Sequence, residues 1–177
     1  MRLFIALPLP DFARQQAEGY IAALRAAGVR GSFTRPENLH LTLAFLGEQP
    51  DTAKAQRAME QLSLPPFSFT LERRGAFPGR EGDTLYLAPG RPGQLPELAE
   101  ALRCALEGEG IPSEARPFVP HLTLGRRVRF PAAAEEIPVP RLRLYAHEVL
   151  LYLSHRPEGV LTYTPKYRRI LGEILIR

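Results

Sequence analysis

Apolar residues run almost unbroken from Arg2 to Leu9, then recur every three to four positions. The first pattern predicts a central strand and the second a helix. The helix is expected to open at Pro10-Asp11 with Asp11 as its N-cap. It should bury Phe12, Ala13, Tyr20, Ala23, Leu24 and Ala27 and close at Gly28. A short extended piece follows from Gly31 to Pro36, since a proline disfavours helix in the residue before it. Asn38 to Leu46 reads as a strand, broken by Gly47, Pro50 and Asp51. A second helix is expected from Asp51, again as cap, to about Leu62, with Pro65-Pro66 as a firm stop. Phe67, Phe69 and Leu71 alternate with polar residues, and Thr84 to Ala88 pairs back across a turn at Gly79–Asp83, giving a hairpin.

The breaker cluster Pro89-Gly90-Arg91-Pro92-Gly93 marks a crossover between lobes. Leu95, Leu98, Ala99, Leu102, Ala105 and Leu106 then predict the buried face of a third helix, from Leu95 to about Glu109, closed by Gly110. A strand from Phe118 to Val128 and a loop from Pro131 to Pro140 come next. Two long strands, Arg141 to Ser154 and Thr162 to Ile176, are joined around Pro157-Glu158-Gly159. Hairpins mixed with single helices predict an α+β fold with mainly antiparallel sheets, organised as one bilobal domain over residues 1–177.

Composition narrows the setting. The chain has 177 residues, 45% hydrophobic and 24% charged, which is ordinary for a globular protein with a real core. A lone cysteine, Cys104, excludes an internal disulfide, and its helical surroundings predict a buried structural thiol. The apolar run Met1–Pro8 is too short to span a membrane and lacks a cleavage signal, so a cytoplasmic location away from membranes is expected. A formal charge of +4 and a pI near 9.6 suit an anionic partner such as RNA or a phosphorylated nucleotide.

The chemistry lies in one repeated tetrapeptide. His40-Leu41-Thr42-Leu43 returns as His121-Leu122-Thr123-Leu124, using two of only four histidines. Alternation along a strand puts His40 and Thr42 on one face, and Leu41, Leu43 and Phe45 on the other. The second copy repeats this. Each strand then presents an imidazole and a hydroxyl about 7 Å apart. Imidazole titrates near neutrality, so one ring can accept a proton while the other donates one. In-line attack on phosphorus needs that pair on opposite sides, and the threonine hydroxyls can orient the non-bridging oxygens. No metal or cofactor is called for, since two histidines without a carboxylate pair make a poor metal site.

The paired His-x-Thr-x motif resembles the 2H phosphoesterase superfamily. Three further stretches are similar to its bacterial and archaeal RNA 2′,3′-cyclic phosphodiesterases, once called 2′-5′ RNA ligases. These are Met1-Arg2-Leu3-Phe4-Ile5-Ala6-Leu7, the run from Arg35 to Gly47 around the first motif, and Pro120 to Arg126 around the second. Gly159 and Tyr163-Thr164-Pro165 are similar to the family's C-terminal hairpin. The resemblance implies two antiparallel sheets facing a central cleft, with helices outside. It implies metal-independent hydrolysis of a 2′,3′-cyclic phosphate on RNA, an oligonucleotide or a nucleotide to a 2′-phosphate; a monomer is expected. By the same resemblance His40 is the proton donor, His121 the proton acceptor, and Thr42, Thr123 and Arg126 bind substrate.

Strict alternation instead puts Arg127 on the His121 face. Either the strand bends at Gly125 or Arg127 takes the phosphate. Phe33 stands where the family often has an aromatic residue, and core packing is expected of it. The basic run Lys166-Tyr167-Arg168-Arg169 is expected to face solvent, and His147 and His155 to lie on the surface or in a hairpin. Three other functions compete: ATP-independent 2′-5′ RNA ligation as the reverse reaction, a nucleotide-binding module without catalysis, and general nucleic-acid binding, favoured only by the net charge. Neither Lys54 nor Lys166 sits in the Lys-x-Asp-Gly context that a lysyl-nucleotide ligase requires.

Overall fold

Residues 1–112 and 116–172 are described by the computed structural model. Among them nine strands and three helices follow one another along the chain. In the first half these are β1 (Arg2–Pro8), α1 (Asp11–Ala26), β2 (Arg30–Phe33), β3 (His40–Glu48), α2 (Ala53–Glu60), β4 (Phe67–Phe77) and β5 (Asp83–Pro89). In the second half they are α3 (Leu95–Gly108), β6 (Leu122–Arg129), β7 (Leu142–Ala146), β8 (Glu148–His155) and β9 (Thr162–Ile170). The expected continuation of the last strand to Ile176 lies outside the described residues. No helix among those described is long and apolar enough to cross a membrane.

All strand pairs are antiparallel, in the order β7-β4-β5-β6-β3-β1-β8-β9, with β2 on the later part of β6. The α+β bilobal arrangement is therefore as expected. One lobe holds β3, β1, β8 and β9, and the other holds β7, β4, β5, β6 and β2. They are joined by a single residue pair, Leu41 with Leu122, both fully buried. The two motif strands touch there and diverge on either side, so the joined sheet curls and leaves a cleft over the motif.

Successive elements alternate between lobes. α1 follows β1 yet packs on β7, whereas α3 follows β5 yet packs on β3 beside α2. Each helix covers the outer face of its sheet. Leu3, Ile5 and Leu7 of β1 and Leu142, Leu144 and Ala146 of β7 are buried. Burying such a side chain is worth about 1.5–3 kcal/mol.

Helix ends follow local chemistry with some departures. Pro10, not Asp11, is the N-cap of α1, and Asp11 instead accepts a hydrogen bond from Arg14 at 3.2 Å. The proline already fixes an extended φ of −68° just before the helix. The buried stripe of α1 is Ala13, Ala17, Tyr20, Ile21 and Leu24, which leaves Phe12 54% exposed. At the other end Gly28 (φ 90°) donates to the Arg25 carbonyl, and Val29 donates to that of Leu24. That pair of bonds is a Schellman closure. Gly110 and Ile111 repeat it on Glu107 and Leu106 at the end of α3. Helix α2 starts at Ala53 with Thr52 as N-cap, yet Asp51 still satisfies its first N–H, accepting from Ala53 at 2.9 Å. It ends at Glu60, well before the two prolines.

Further expectations are overturned: the second motif strand starts at Leu122 rather than Phe118. Arg141 to Ser154 is not one strand: it breaks at His147 into β7 and β8, which sit in different lobes. Cys104 is exposed rather than buried, on the outward side of α3 opposite Leu102, Ala105 and Leu106, with its Sγ beside Glu100.

Candidate active site

Each motif strand carries one extra residue just past its threonine. On β3, Ala6 of β1 pairs with Thr42 and Ile5 with Ala44, so Leu43 is the bulged position. On β6, Tyr86 of β5 pairs with Thr123 and Leu85 with Gly125, so Leu124 plays the same part. A bulge resets the alternation of faces. Phe45 therefore does not join Leu41 and Leu43 in the core. It pairs with Phe4, its ring 6.3 Å from that of Phe4, and is 49% exposed. By the same reset Arg126 stands on the Thr123 face. Phe45 and Arg126 occupy corresponding places, each five residues past its histidine.

The strand does bend, at Leu124 rather than Gly125, and the two arginines point different ways. Arg127 takes φ 52° and its guanidinium donates to Ser32 Oγ at 2.8 Å. Arg126 exerts its charge on both His40 and Tyr163, so it lies within electrostatic reach of the cleft.

Both imidazoles are held by one device. Nδ1–H of His40 donates to the carbonyl of Asn38 at 2.6 Å, and Nδ1–H of His121 donates to that of Val119 at 2.7 Å. A carbonyl only accepts, so the proton belongs on Nδ1 and each Nε2 is left as the working atom. Thr42 Oγ1 is 3.0 Å from Nε2 of His40, so the imidazole and hydroxyl of the first copy lean together rather than standing a full two-residue span apart. The two copies run antiparallel through the single pair Leu41 and Leu122, which brings both motifs to one point of the sheet. The anchors are themselves fixed. Buried Asn38 donates from Nδ2 to the Leu161 carbonyl at 3.0 Å, and Thr34 Oγ1 donates to the Thr123 carbonyl at 3.0 Å.

Aromatic rings wall the two histidines. Phe4 lies 4.9 Å and Tyr163 5.2 Å from the His40 ring, with Tyr152 at 6.4 Å. Phe77 and Tyr86 stand edge-on to His121 at 5.0 and 5.5 Å. Gly75 makes room on that side: a Cβ there would meet the Tyr86 ring at 2.4 Å. Of the five rings, Phe4 and Tyr163 fall in stretches that carry the family resemblance, but none was assigned a role from sequence. Only Tyr86 is the register partner of a motif residue, Thr123; Phe4 pairs with Phe45 and Tyr152, and no common sequence signal marks the other rings.

Half-buried His40 is electrostatically distinct. Burial pushes it down to about 4, opposed by the bond to the Asn38 carbonyl and reinforced by the charges of His121 and Arg126. The ring is neutral near pH 7, so Thr42 donates its hydroxyl proton to Nε2. Burial also raises Tyr152 to about 12 and Tyr163 above its usual value, keeping both as neutral phenols.

Other residues singled out in the sequence lie away from this centre. Phe33 is half-buried against the core under the Arg25 guanidinium, 4.7 Å from its ring centroid. His155 bonds Thr164 Oγ1 at 2.8 Å across the β8–β9 hairpin, and His147 is exposed. Arg168 pairs with Glu148, whereas Arg169 is buried and donates to the Leu62 carbonyl at 2.9 Å, so it does not face solvent. Among the described residues no group of three or more His, Cys, Asp or Glu side chains is gathered where it could hold a metal ion.

Residues 10–158 match the model of the 2′-5′ RNA ligase superfamily. An RNA 2′,3′-cyclic phosphodiesterase of Escherichia coli K12 is 36% identical over 182 residues, 97% of each chain. One of Thermotoga maritima is 32% identical over 164 residues, 87% of each. The crystal structure of E. coli LigT complexed with 3′-AMP superposes with a TM-score of 0.80 at 31% identity, covering 97% of this chain and 98% of that one.

Proposed function

Because the chain belongs to the 2′-5′ RNA ligase superfamily, we propose that it hydrolyses the 2′,3′-cyclic phosphate at the end of an RNA or oligonucleotide to a 2′-phosphate. The observation that carries this reading is the matched pair of imidazoles. In each, Nδ1–H is tied to the carbonyl two residues earlier, leaving two Nε2 atoms for proton transfer on strands that meet at one residue pair. Relatives named as RNA 2′,3′-cyclic phosphodiesterases support the substrate class.

In the proposed reaction His121 Nε2 takes a proton from water as the oxygen attacks phosphorus. The bond from phosphorus to the ribose 3′ oxygen breaks, and His40 supplies the proton that oxygen needs. Thr42 and Thr123 hydrogen-bond the non-bridging oxygens, and Arg126 offsets their developing charge. His40 is neutral in the free protein, so the role of donor requires protonation on binding. A phosphate anion beside the ring provides for this: it favours imidazolium and works against the burial that chiefly holds the ring low, and against the nearby positive charge that adds to it.

The test is to incubate the protein, without metal or ATP, with an oligonucleotide ending in a 2′,3′-cyclic phosphate and to identify the product. A 2′-phosphate is expected. His40→Ala and His121→Ala should each lower turnover at least 10²-fold, the typical worth of one acid or base. An unchanged cyclic end, or turnover in the double variant equal to the parent, overturns the proposal.

A further inference from the structure

A groove of about 630 Å³ opens where the end of β1 meets β4 and β7, lined by Pro8, Phe12, Thr70, Arg143 and Tyr145 among others. It begins beside the candidate site, because Pro8 is the register partner of His40. It also lies on the same face of the sheet. Tyr86, which stands against His121, pairs with Gly75, and Phe77 follows on that face. A bulge at Glu72 keeps Arg73 on it while Leu71 turns to the core. Thr70, next to Leu71, then points back to the groove and pairs with Arg143, and Ser68 pairs with Tyr145. One continuous strip therefore leads from His121 across Arg73 to Arg143 and Tyr145.

The chemistry of the strip is that of a single-stranded nucleic acid track. Tyr145 is 59% exposed and Phe12 54% exposed, among the few large apolar side chains that are. One face of the Tyr145 ring stacks on His147, with ring centroids 5.9 Å apart, and the rest of that ring and Phe12 stand open to solvent. Arg73 and Arg143 are exposed and make no ion pair with any described residue. Of the two carboxylates nearby, Glu72 is held by Arg141 at 2.9 Å and Glu148 is paired with Arg168. The strip thus carries net positive charge, with Tyr145 at its far end beyond the two guanidinium groups. Phosphates are held by such cations, and bases stack on such rings without regard to sequence.

We propose that this strip binds the RNA chain on the 5′ side of the terminal cyclic phosphate, with phosphates on Arg73 and Arg143 and a base on Tyr145. The inference rests on the hydrolytic reading above. A cyclic phosphate closes the 3′ end, so the rest of the chain can leave the cleft only from the 5′ side of the terminal sugar. The strip gives it a path, and the protein then favours oligonucleotides over single nucleotides.

The test compares the parent with Arg143→Gln/Tyr145→Ala on two substrates, a five-nucleotide RNA ending in a 2′,3′-cyclic phosphate and cytidine 2′,3′-cyclic monophosphate. The ratio of kcat/KM for the pentanucleotide to that for the mononucleotide should fall about tenfold, the order expected for loss of one stacked base. In parallel, fluorescence anisotropy on a His40→Ala background measures binding of the labelled pentanucleotide. Its Kd should rise about tenfold, and the slope of log Kd against log salt should drop by roughly 0.7 for the lost phosphate contact. A ratio and Kd within twofold of the parent overturn the proposal, as does an equal fall on both substrates. If the parent opens neither substrate, the hydrolytic reading fails, and the Kd comparison still decides whether the strip binds RNA.

Discussion

His40 joins a chemical role to a stability role through one proton. Its folded value of about 4 lies below the roughly 6.5 of an unfolded histidine. Between those values the unfolded chain holds a proton that the folded chain refuses. Stability from this group is therefore complete above pH 6.5 and declines as the pH falls towards 4, by up to about 3 kcal/mol. His40→Gln removes the titration. Urea unfolding followed from pH 6.5 to 4 should show a shallower loss in the variant, and an identical pH dependence would mean that the ring is not desolvated. Adding inorganic phosphate should move the His40 ring resonances in an NMR titration to a higher midpoint, the direction that a donor role requires. The arginines separate cleanly at this scale. Arg126→Ala should lower kcat/KM on a cyclic-phosphate substrate about 10²-fold, as for loss of one transition-state donor. Arg127→Ala, which removes only the contact to Ser32, should stay within about threefold.

Among the elements, Gly28 at the end of α1 and Gly75 inside β4 carry the sharpest expectations. Gly28→Ala adds a Cβ with only Pro131 near it, at 3.8 Å, so its cost is backbone strain at φ 90°. Denaturant unfolding should register a loss of about 1 kcal/mol. Gly75→Ala differs in kind, because the new Cβ collides with the Tyr86 ring. It should cost about 1–3 kcal/mol and lower kcat as well, since Tyr86 backs His121. Such details mark the border of what the sequence discloses. The strands, the helices and the two His-x-Thr copies are legible because each buries a periodic set of apolar side chains. A bulge at Leu43 or Leu124 is not, since both residues stay buried and the apolar pattern is unaltered, yet each bulge decides where Phe45 or Arg126 points. The break at His147 did leave a trace. Buried positions step by two through Leu142, Leu144 and Ala146, then slip to Val149 and Leu151. Cys104 was likewise readable, lying off the stripe formed by Leu98, Leu102, Ala105 and Leu106.

At the scale of the whole molecule, catalysis and folding depend on the same seam. The cleft exists because two sheets are joined at one pair of buried leucines and splay apart from it. Leu41→Ala or Leu122→Ala should cost about 2–5 kcal/mol and depress turnover more than the loss of folded protein accounts for, which stability and activity measured on the same sample would reveal. The alternation of elements between lobes reaches further. β1 belongs to one lobe, α1 and β2 to the other, β3 and α2 to the first again, and so on to β9. No single cut through the backbone can therefore release a lobe. A chain severed in the exposed turn between Phe77 and Asp83 gives two fragments, each carrying strands of both lobes and a complete core of neither. Each alone should be unstructured by circular dichroism, and mixing them should restore the fold and its turnover together. The protein is in that sense a ready-made reporter of proximity, silent until two halves of one polypeptide meet.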